Sequence, residues 1–148
     1  MSSVSHLLKE MLEQNKLTCS FAFEKINQEN STWRLNPKTA SIGFIFRHIG
    51  ETMNLFGYFF GFSPSTSNTT MGKEDKGDWY EVAESRMLIE VGFQMLEQLV
   101  KNTAEEDWTT IIETPFFGPV SKMRLFSHIL FHNAHHAGQL SLTLSRGA

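Results

Sequence analysis

The stretch Ser41–Phe60, SIGFIFRHIGETMNLFGYFF, decides the fold. Its apolar residues recur at three- and four-residue intervals, which predicts an α-helix and does not fit the alternation of a strand. The main apolar stripe consists of Ile42, Ile45, Phe46, Ile49, Met53, Phe56 and Phe60. Because Phe44, Leu55 and Phe59 widen that stripe, we expect this helix to be buried on most sides.

Three further segments have the same helical spacing. The first is predicted from about Ser3 to Gln28. Pro37 separates it from the Ser41–Phe60 helix, whose predicted N-cap is Thr39 or Ser41. The third follows a polar loop, Gly61–Gly77, that is rich in turn residues.

The third helix has Asp78 as its predicted N-cap, and the last helix runs from near Ser121 to a C-cap at Gly147. Between them, Asn102–Val120 is irregular and broken by proline and glycine, and no segment alternates like a strand. The sequence therefore predicts an all-α protein, a four-helix bundle forming one domain over residues 1–148.

Composition and charge exclude several classes of protein. The chain of 148 residues is 41% hydrophobic and 20% charged, which is typical of a folded globular domain. Its net charge of −3 gives no electrostatic case for binding nucleic acid or an anionic membrane. One cysteine, Cys19, cannot form an internal disulfide, and no secretory signal or spanning apolar stretch is recognisable. We therefore expect a cytoplasmic protein.

Histidines cluster in the last helix. His128, His132, His135 and His136 lie within nine residues, and residues four apart share one face of a helix. His132 and His136 can therefore bind one cation, because His-x-x-x-His is a metal-binding spacing. The pairings His128 with His132 and His132 with His135 are also sterically possible. The alternative is that the two histidines form a surface pair or a hydrogen-bonded pair and bind no metal.

The two remaining histidines carry less information by themselves. His48 in the second helix has the ordinary interpretation of a core histidine whose polar atoms are satisfied, and His6 is expected at the surface. Several neutral imidazoles that face the interior of a bundle need polar partners, and a metal ion is one such partner.

Two blocks of sequence resemble the DinB/YfiT-like family of metalloenzymes, also called the DinB superfamily. The first block runs from Trp33–Pro37 through Ala40–Gly43 to His48–Glu51. The second is Thr114–Gly118 followed by the motif of the last helix, where His-x-x-x-His stands just before Gly-Gln. The two blocks frame nearly the whole chain in the order that the family has.

The resemblance implies a four-helix bundle of up-up-down-down topology and a metal triad at His48, His132 and His136. His128 and His135 then become neighbours of the ligands or structural histidines. Many relatives carry arginine where this chain has Ala137, so any contact that such an arginine makes is absent here.

Two other polar residues are candidates for a part in the site. Glu51, one helical turn from His48, is either a general base, a partner of that ligand or a solvated surface residue. Gln139, one turn beyond His136, either orients a ligand or forms a hydrogen bond within the bundle.

Three imidazoles without a carboxylate or thiolate leave a divalent ion its full charge and open positions, as in catalytic sites. Zinc, nickel and iron(II) all accept such ligands. The resemblance implies a small-molecule substrate and, as options, transfer of a low-molecular-weight thiol or hydrolysis by metal-bound hydroxide. The alternative is a non-catalytic metal- or ligand-binding protein associated with stress.

We also expect a homodimer. The third helix offers an interface through Phe93, Met95, Leu96 and Val100, although packing in the core explains these residues equally well.

Overall fold

The computed structural model describes all 148 residues. Its principal elements are four helices, α1 (Ser3–Phe23), α2 (Ile42–Phe56), α3 (Val82–Asn102) and α4 (Lys122–Arg146), and a small antiparallel sheet of β1 (Ile111–Thr114) and β2 (Gly118–Ser121). The predicted four helices are therefore confirmed, and the sheet is an addition to them.

The ends of α1 and α2 follow local hydrogen bonding. α1 ends at Phe23 instead of Gln28, because Asn27 and Asn30 each accept the backbone N–H of the other through their side chains and close a turn. Ser41 is the N-cap of α2, and its hydroxyl accepts the N–H of Phe44 at 3.2 Å. A short 3₁₀ helix then continues from Gly57 to Phe60.

The starts of α3 and α4 show one correction and one agreement. α3 begins at Val82, four residues after the predicted cap Asp78, and the side chain of Gln28 accepts the N–H of Val82 from the α1–α2 connection. α4 begins directly after Ser121, whose hydroxyl accepts the N–H of Arg124 at 3.1 Å.

The segment between α3 and α4 is not fully irregular, so the prediction that the chain contains no strand was wrong. Ile112 pairs with Val120 in the short antiparallel ladder. The chain reverses through Gly118, which has a φ of 66° and so adopts a backbone conformation that glycine tolerates. Strands of four residues, one of them containing a proline, are too short to show alternation in the sequence.

Each of α1 and α2 packs against both α3 and α4, so α1 and α2 lie diagonally across the bundle. Side chains from all four helices, the 3₁₀ segments and the hairpin build one core. Phe46, Phe126 and Trp108 are among its largest fully buried members.

The contacts along the helices correct the predicted up-up-down-down topology. Ser5 of α1 donates to the carbonyl of Thr103 at the end of α3, while Arg86 at the start of α3 donates to the carbonyl of Phe23, so α1 and α3 are antiparallel. The relation between α2 and α3 is the opposite one, and two contacts define it. The first is that Gly50 of α2 faces Leu88, near the start of α3.

Further along the same interface, Gly57 of α2 faces Met95 of α3, so α2 and α3 run parallel. α2 and α4 are antiparallel, because His48 contacts His136 whereas Phe56 contacts His128. The observed order is therefore up-down-down-up.

Parallel neighbours require a long return connection. Because α2 and α3 point the same way, residues 57–81 must run back along the bundle before α3 can begin. This α2–α3 connection is the polar loop predicted from its turn residues. Its path brings Thr69 and Thr70 beside the middle of α2.

The residues of α3 proposed as a dimer interface belong to the core. Phe93, Leu96 and Val100 are buried, and Met95 is partly buried against the same cluster. These four side chains therefore leave little apolar surface for the predicted interface with a second copy.

Close packing of α2 on α3 depends on two glycines. A methyl group on Gly92 would lie 2.8 Å from Cβ of Met53, and one on Gly50 would lie 2.9 Å from Cβ of Leu88. We expect Gly92→Ala to lower the free energy of unfolding in urea by about 1–3 kcal/mol, since the helices must move apart. In the control Gly138→Ala, the new methyl group meets no atom within 4 Å.

The control variant should instead raise stability by up to about 1 kcal/mol, because alanine is the better helix former. Equal effects of the two substitutions would contradict the close approach of α2 and α3.

None of the four helices combines the length and the hydropathy that a membrane-spanning segment requires.

Candidate metal centre

Three imidazoles from two helices meet between α2 and α4. His48 lies in the first half of α2, and His132 and His136 lie one turn apart on α4. The Nε2 atom of His132 is 3.0 Å from Nε2 of His48 and 3.1 Å from Nε2 of His136. One nitrogen from each of the three rings falls within a group no wider than 4.8 Å.

The donor set fits a divalent metal ion. Metal–nitrogen bonds of about 2.0–2.1 Å with angles between about 90° and 109° separate the donor atoms by about 2.9–3.4 Å. The two short distances at His132 lie in that range. Since imidazole suits zinc, nickel and iron(II) alike, the three histidines could hold a metal ion without specifying which.

Burial keeps these imidazoles neutral. Burial and the neighbouring His136 lower the pKa of His48 to about 4, and burial with the surrounding histidines lowers the pKa of His132 to about 3. Burial also lowers the pKa of His136. All three rings are therefore uncharged near neutral pH, which is the form that binds metals.

The second nitrogen of two of these rings has a hydrogen-bond partner. Nδ1 of His136 lies 2.7 Å from Oε1 of Gln139, and Nδ1 of His48 lies 3.1 Å from Oγ1 of Thr70. Such partners orient an imidazole and select which of its nitrogens carries the proton. Nδ1 of His132 is buried and has no protein partner.

His135 and His128 lie beside the three imidazoles but outside their group. His135 is exposed, and its Nε2 atom is 3.4 Å from Nε2 of Gln139. The ring of His128 stacks on Phe56 with centroids 5.7 Å apart and meets the edge of Phe117 at 4.7 Å. Burial lowers the pKa of His128, so this ring is an aromatic neighbour rather than a charged one.

Glu51 is enclosed by hydrogen-bond donors. Its side chain is fully buried, and its oxygens accept from Arg47 and from the backbone and hydroxyl groups of Thr69 and Thr70. Burial raises the pKa of Glu51, but the hydrogen bonds outweigh it and hold the pKa below its usual value. This saturated carboxylate is a poor general base, and it reaches His48 only through Thr70.

Thr70 is the polar neighbour that the sequence analysis missed. It lies in a stretch of serine and threonine with no helical periodicity, so no spacing connects it with His48. Ala137, the position where many relatives carry arginine, is buried in the core, on a side of α4 away from the three imidazoles.

Comparison with known proteins identifies the family of the chain. A family model described as the DinB superfamily matches residues 12–140, while no curated protein matches the chain. A crystal structure of a conserved protein from Enterococcus faecalis superposes with a TM-score of 0.68 over 98% of this chain and 99% of that chain. At 12% identity that likeness concerns the fold alone. The match over residues 12–140 shows that the chain belongs to the DinB superfamily.

Proposed function

We propose that the protein is a metal-dependent enzyme in which His48, His132 and His136 hold one divalent ion, zinc, nickel or iron(II), for transfer of a small thiol. The observation that carries this proposal is the convergence of three Nε2 atoms with no carboxylate or thiolate among them. An ion with neutral ligands keeps its full charge, and it would supply acidification of a bound thiol near neutral pH.

Thiol transfer suits the residues around the site better than hydrolysis does. Glu51 has no free acceptor position, so the nearest carboxylate on α2 is not available to activate a water molecule. A thiol ionises more readily than water and depends less on a separate base. In the reaction the sulfur loses its proton to solvent and forms a bond to an electrophilic carbon, and the leaving group departs with the electrons of the broken bond.

Aromatic side chains provide an apolar surface for the electrophile. Phe116, at the tip of the hairpin, stacks on Phe56 at 4.9 Å, and Phe117 contacts His128. Phe116 and Phe117 are still 42% and 46% exposed, so each retains a face that can cover an apolar substrate. The ring of His128 lies 5.8 Å from that of His132 and connects this surface with the three imidazoles.

The cytoplasm, with its pool of small thiols, is the compartment we propose for this activity. Cys19 is the only cysteine and is buried, and burial raises its pKa to about 11. Its thiol is therefore protonated near neutral pH and does not compete with an added thiol.

Turnover assays on metal-loaded, untagged protein test the proposal. We expect the loaded protein to accelerate the reaction of 2-mercaptoethanol with 1-chloro-2,4-dinitrobenzene, and metal-free protein to leave the uncatalysed rate unchanged. Hydrolysis of 4-nitrophenyl acetate without any thiol would instead support a hydrolase. If the protein binds a metal but shows neither activity across broader panels of thiols, electrophiles and esters, the result would contradict the enzyme and support a non-catalytic metal-binding protein.

A further inference from the structure

The α2–α3 connection reaches the candidate metal centre through one hydroxyl group. Oγ1 of Thr70 lies 2.9 Å from Oε1 of Glu51 and 3.1 Å from Nδ1 of His48. Thr70 is only 1% exposed, so water has little access to this chain of contacts. The neighbouring Thr69 also donates its hydroxyl to Glu51 at 2.6 Å, but this hydroxyl makes no hydrogen bond to His48.

The chemistry of these groups fixes the direction of each hydrogen bond. An ionised carboxylate can only accept, so the single hydroxyl proton of Thr70 goes to Glu51. The oxygen of Thr70 then has only lone pairs for His48, and the ring must donate its Nδ1–H to it. A neutral imidazole with its proton on Nδ1 carries a lone pair on Nε2, the atom that faces His132.

We propose that Thr70 is a positioning residue. Its hydroxyl donates to the buried Glu51 carboxylate and accepts the Nδ1–H of His48, and it thereby holds this ring in the tautomer that can bind a metal. The inference rests on the proposed metal site, which it deepens. Without the Thr70 hydroxyl, His48 can place its proton on Nε2 and donate it to His132, 3.0 Å away. That alternative hydrogen bond removes a lone pair from the site.

The same contacts link the α2–α3 connection to metal binding. Glu51 also accepts the backbone N–H groups of Thr69 and Thr70, at 2.8 and 3.1 Å. Packing of the α2–α3 connection against Glu51 therefore places the Thr70 hydroxyl against His48. Since coupling between two binding events is reciprocal, a metal bound to His48 would in turn stabilise the packed position of the connection.

Nitrogen-15 NMR of the histidine rings in metal-free protein tests the tautomer directly. We expect the wild type to show His48 with its proton on Nδ1, and Thr70→Val to shift the proton to Nε2. Thr70→Ser keeps the hydroxyl and should restore the wild-type spectrum. The matched control Thr69→Val removes a hydroxyl from the same carboxylate and should leave the tautomer of His48 unchanged.

Cobalt(II) titration of the same four proteins tests the consequence for metal binding. Thr70→Val should weaken binding by about 10–100-fold, the usual effect of losing a partner of a metal-binding histidine, while Thr70→Ser and Thr69→Val stay close to the wild type. If Thr70→Val fails to fold, Thr70→Ala compared with Thr70→Ser gives the same contrast.

Two results would overturn the role of Thr70: a Thr70→Val protein whose His48 keeps its proton on Nδ1, or equal effects of Thr70→Val and Thr69→Val. Wild-type protein that binds no cobalt would refute the proposed function instead. In that case the NMR comparison still decides whether Thr70 sets the tautomer.

Discussion

Replacing His132 with alanine is expected to weaken metal binding by more than about 100-fold. This loss exceeds the effect of removing a hydrogen-bond partner of a metal-binding histidine, because the substitution removes a ligand itself. Nε2 of His132 lies about 3 Å from each of the other two donor atoms, so its loss leaves only a pair of imidazoles. The double variant His132→Ala, His136→Ala should lose binding altogether, since only His48 remains. Cobalt(II) titration followed by visible absorption measures both effects.

His135→Ala is the matched control for these variants. His135 lies on the same helix but is exposed and contributes no atom to the group of three nitrogens. Its removal takes away one contact of Gln139, so the dissociation constant should rise by less than about 10-fold. Retention of the metal by the double variant, or equal losses in His132→Ala and His135→Ala, would show that the ligands are elsewhere.

Glu51→Ala is expected to lower the free energy of unfolding of the metal-free protein by about 3–5 kcal/mol, the usual cost of removing one partner from a buried ion pair. The substitution leaves Arg47, whose side chain is only 18% exposed, without its closest carboxylate. It also removes the acceptor for Thr69 and Thr70, so the α2–α3 connection loses several of its hydrogen bonds to α2. Urea unfolding at pH 7 measures the loss.

Glu84→Ala provides the comparison, because Glu84 is an exposed carboxylate 3.6 Å from the same Arg47. Its loss should change stability by no more than about 0.5 kcal/mol, as is usual for surface ion pairs. Should Glu51→Ala cost as little as Glu84→Ala, the hydrogen bonds around Glu51 would not stabilise the fold as the structure implies.

Periodicity predicted the helices well because each helix buries a continuous face. The wide apolar stripe of Ser41–Phe60 corresponds to α2 and the 3₁₀ helix that follows it, and α2 contacts helices on two sides. The directions of the helices were not predictable in the same way. They depend on whether the α2–α3 connection returns along the bundle, and the spacing of polar residues in a loop does not encode its path.

The candidate site was predictable to the extent that its residues lie on one helix. The separation of four residues placed His132 and His136 on one face, and the structure shows their Nε2 atoms 3.1 Å apart. His48 is 84 residues from His132, so spacing could not connect the two, and only the family resemblance did. Thr70 lay outside both kinds of evidence, because the folded connection alone brings it to His48.

Metal analysis of untagged protein tests the central claim most directly, since an affinity tag of histidines would bring nickel with it. After equilibration with zinc, nickel or iron(II) and removal of free metal, we predict about one divalent ion per chain near neutral pH. Protein that retains none of these three metals would contradict a three-histidine metal centre at His48, His132 and His136.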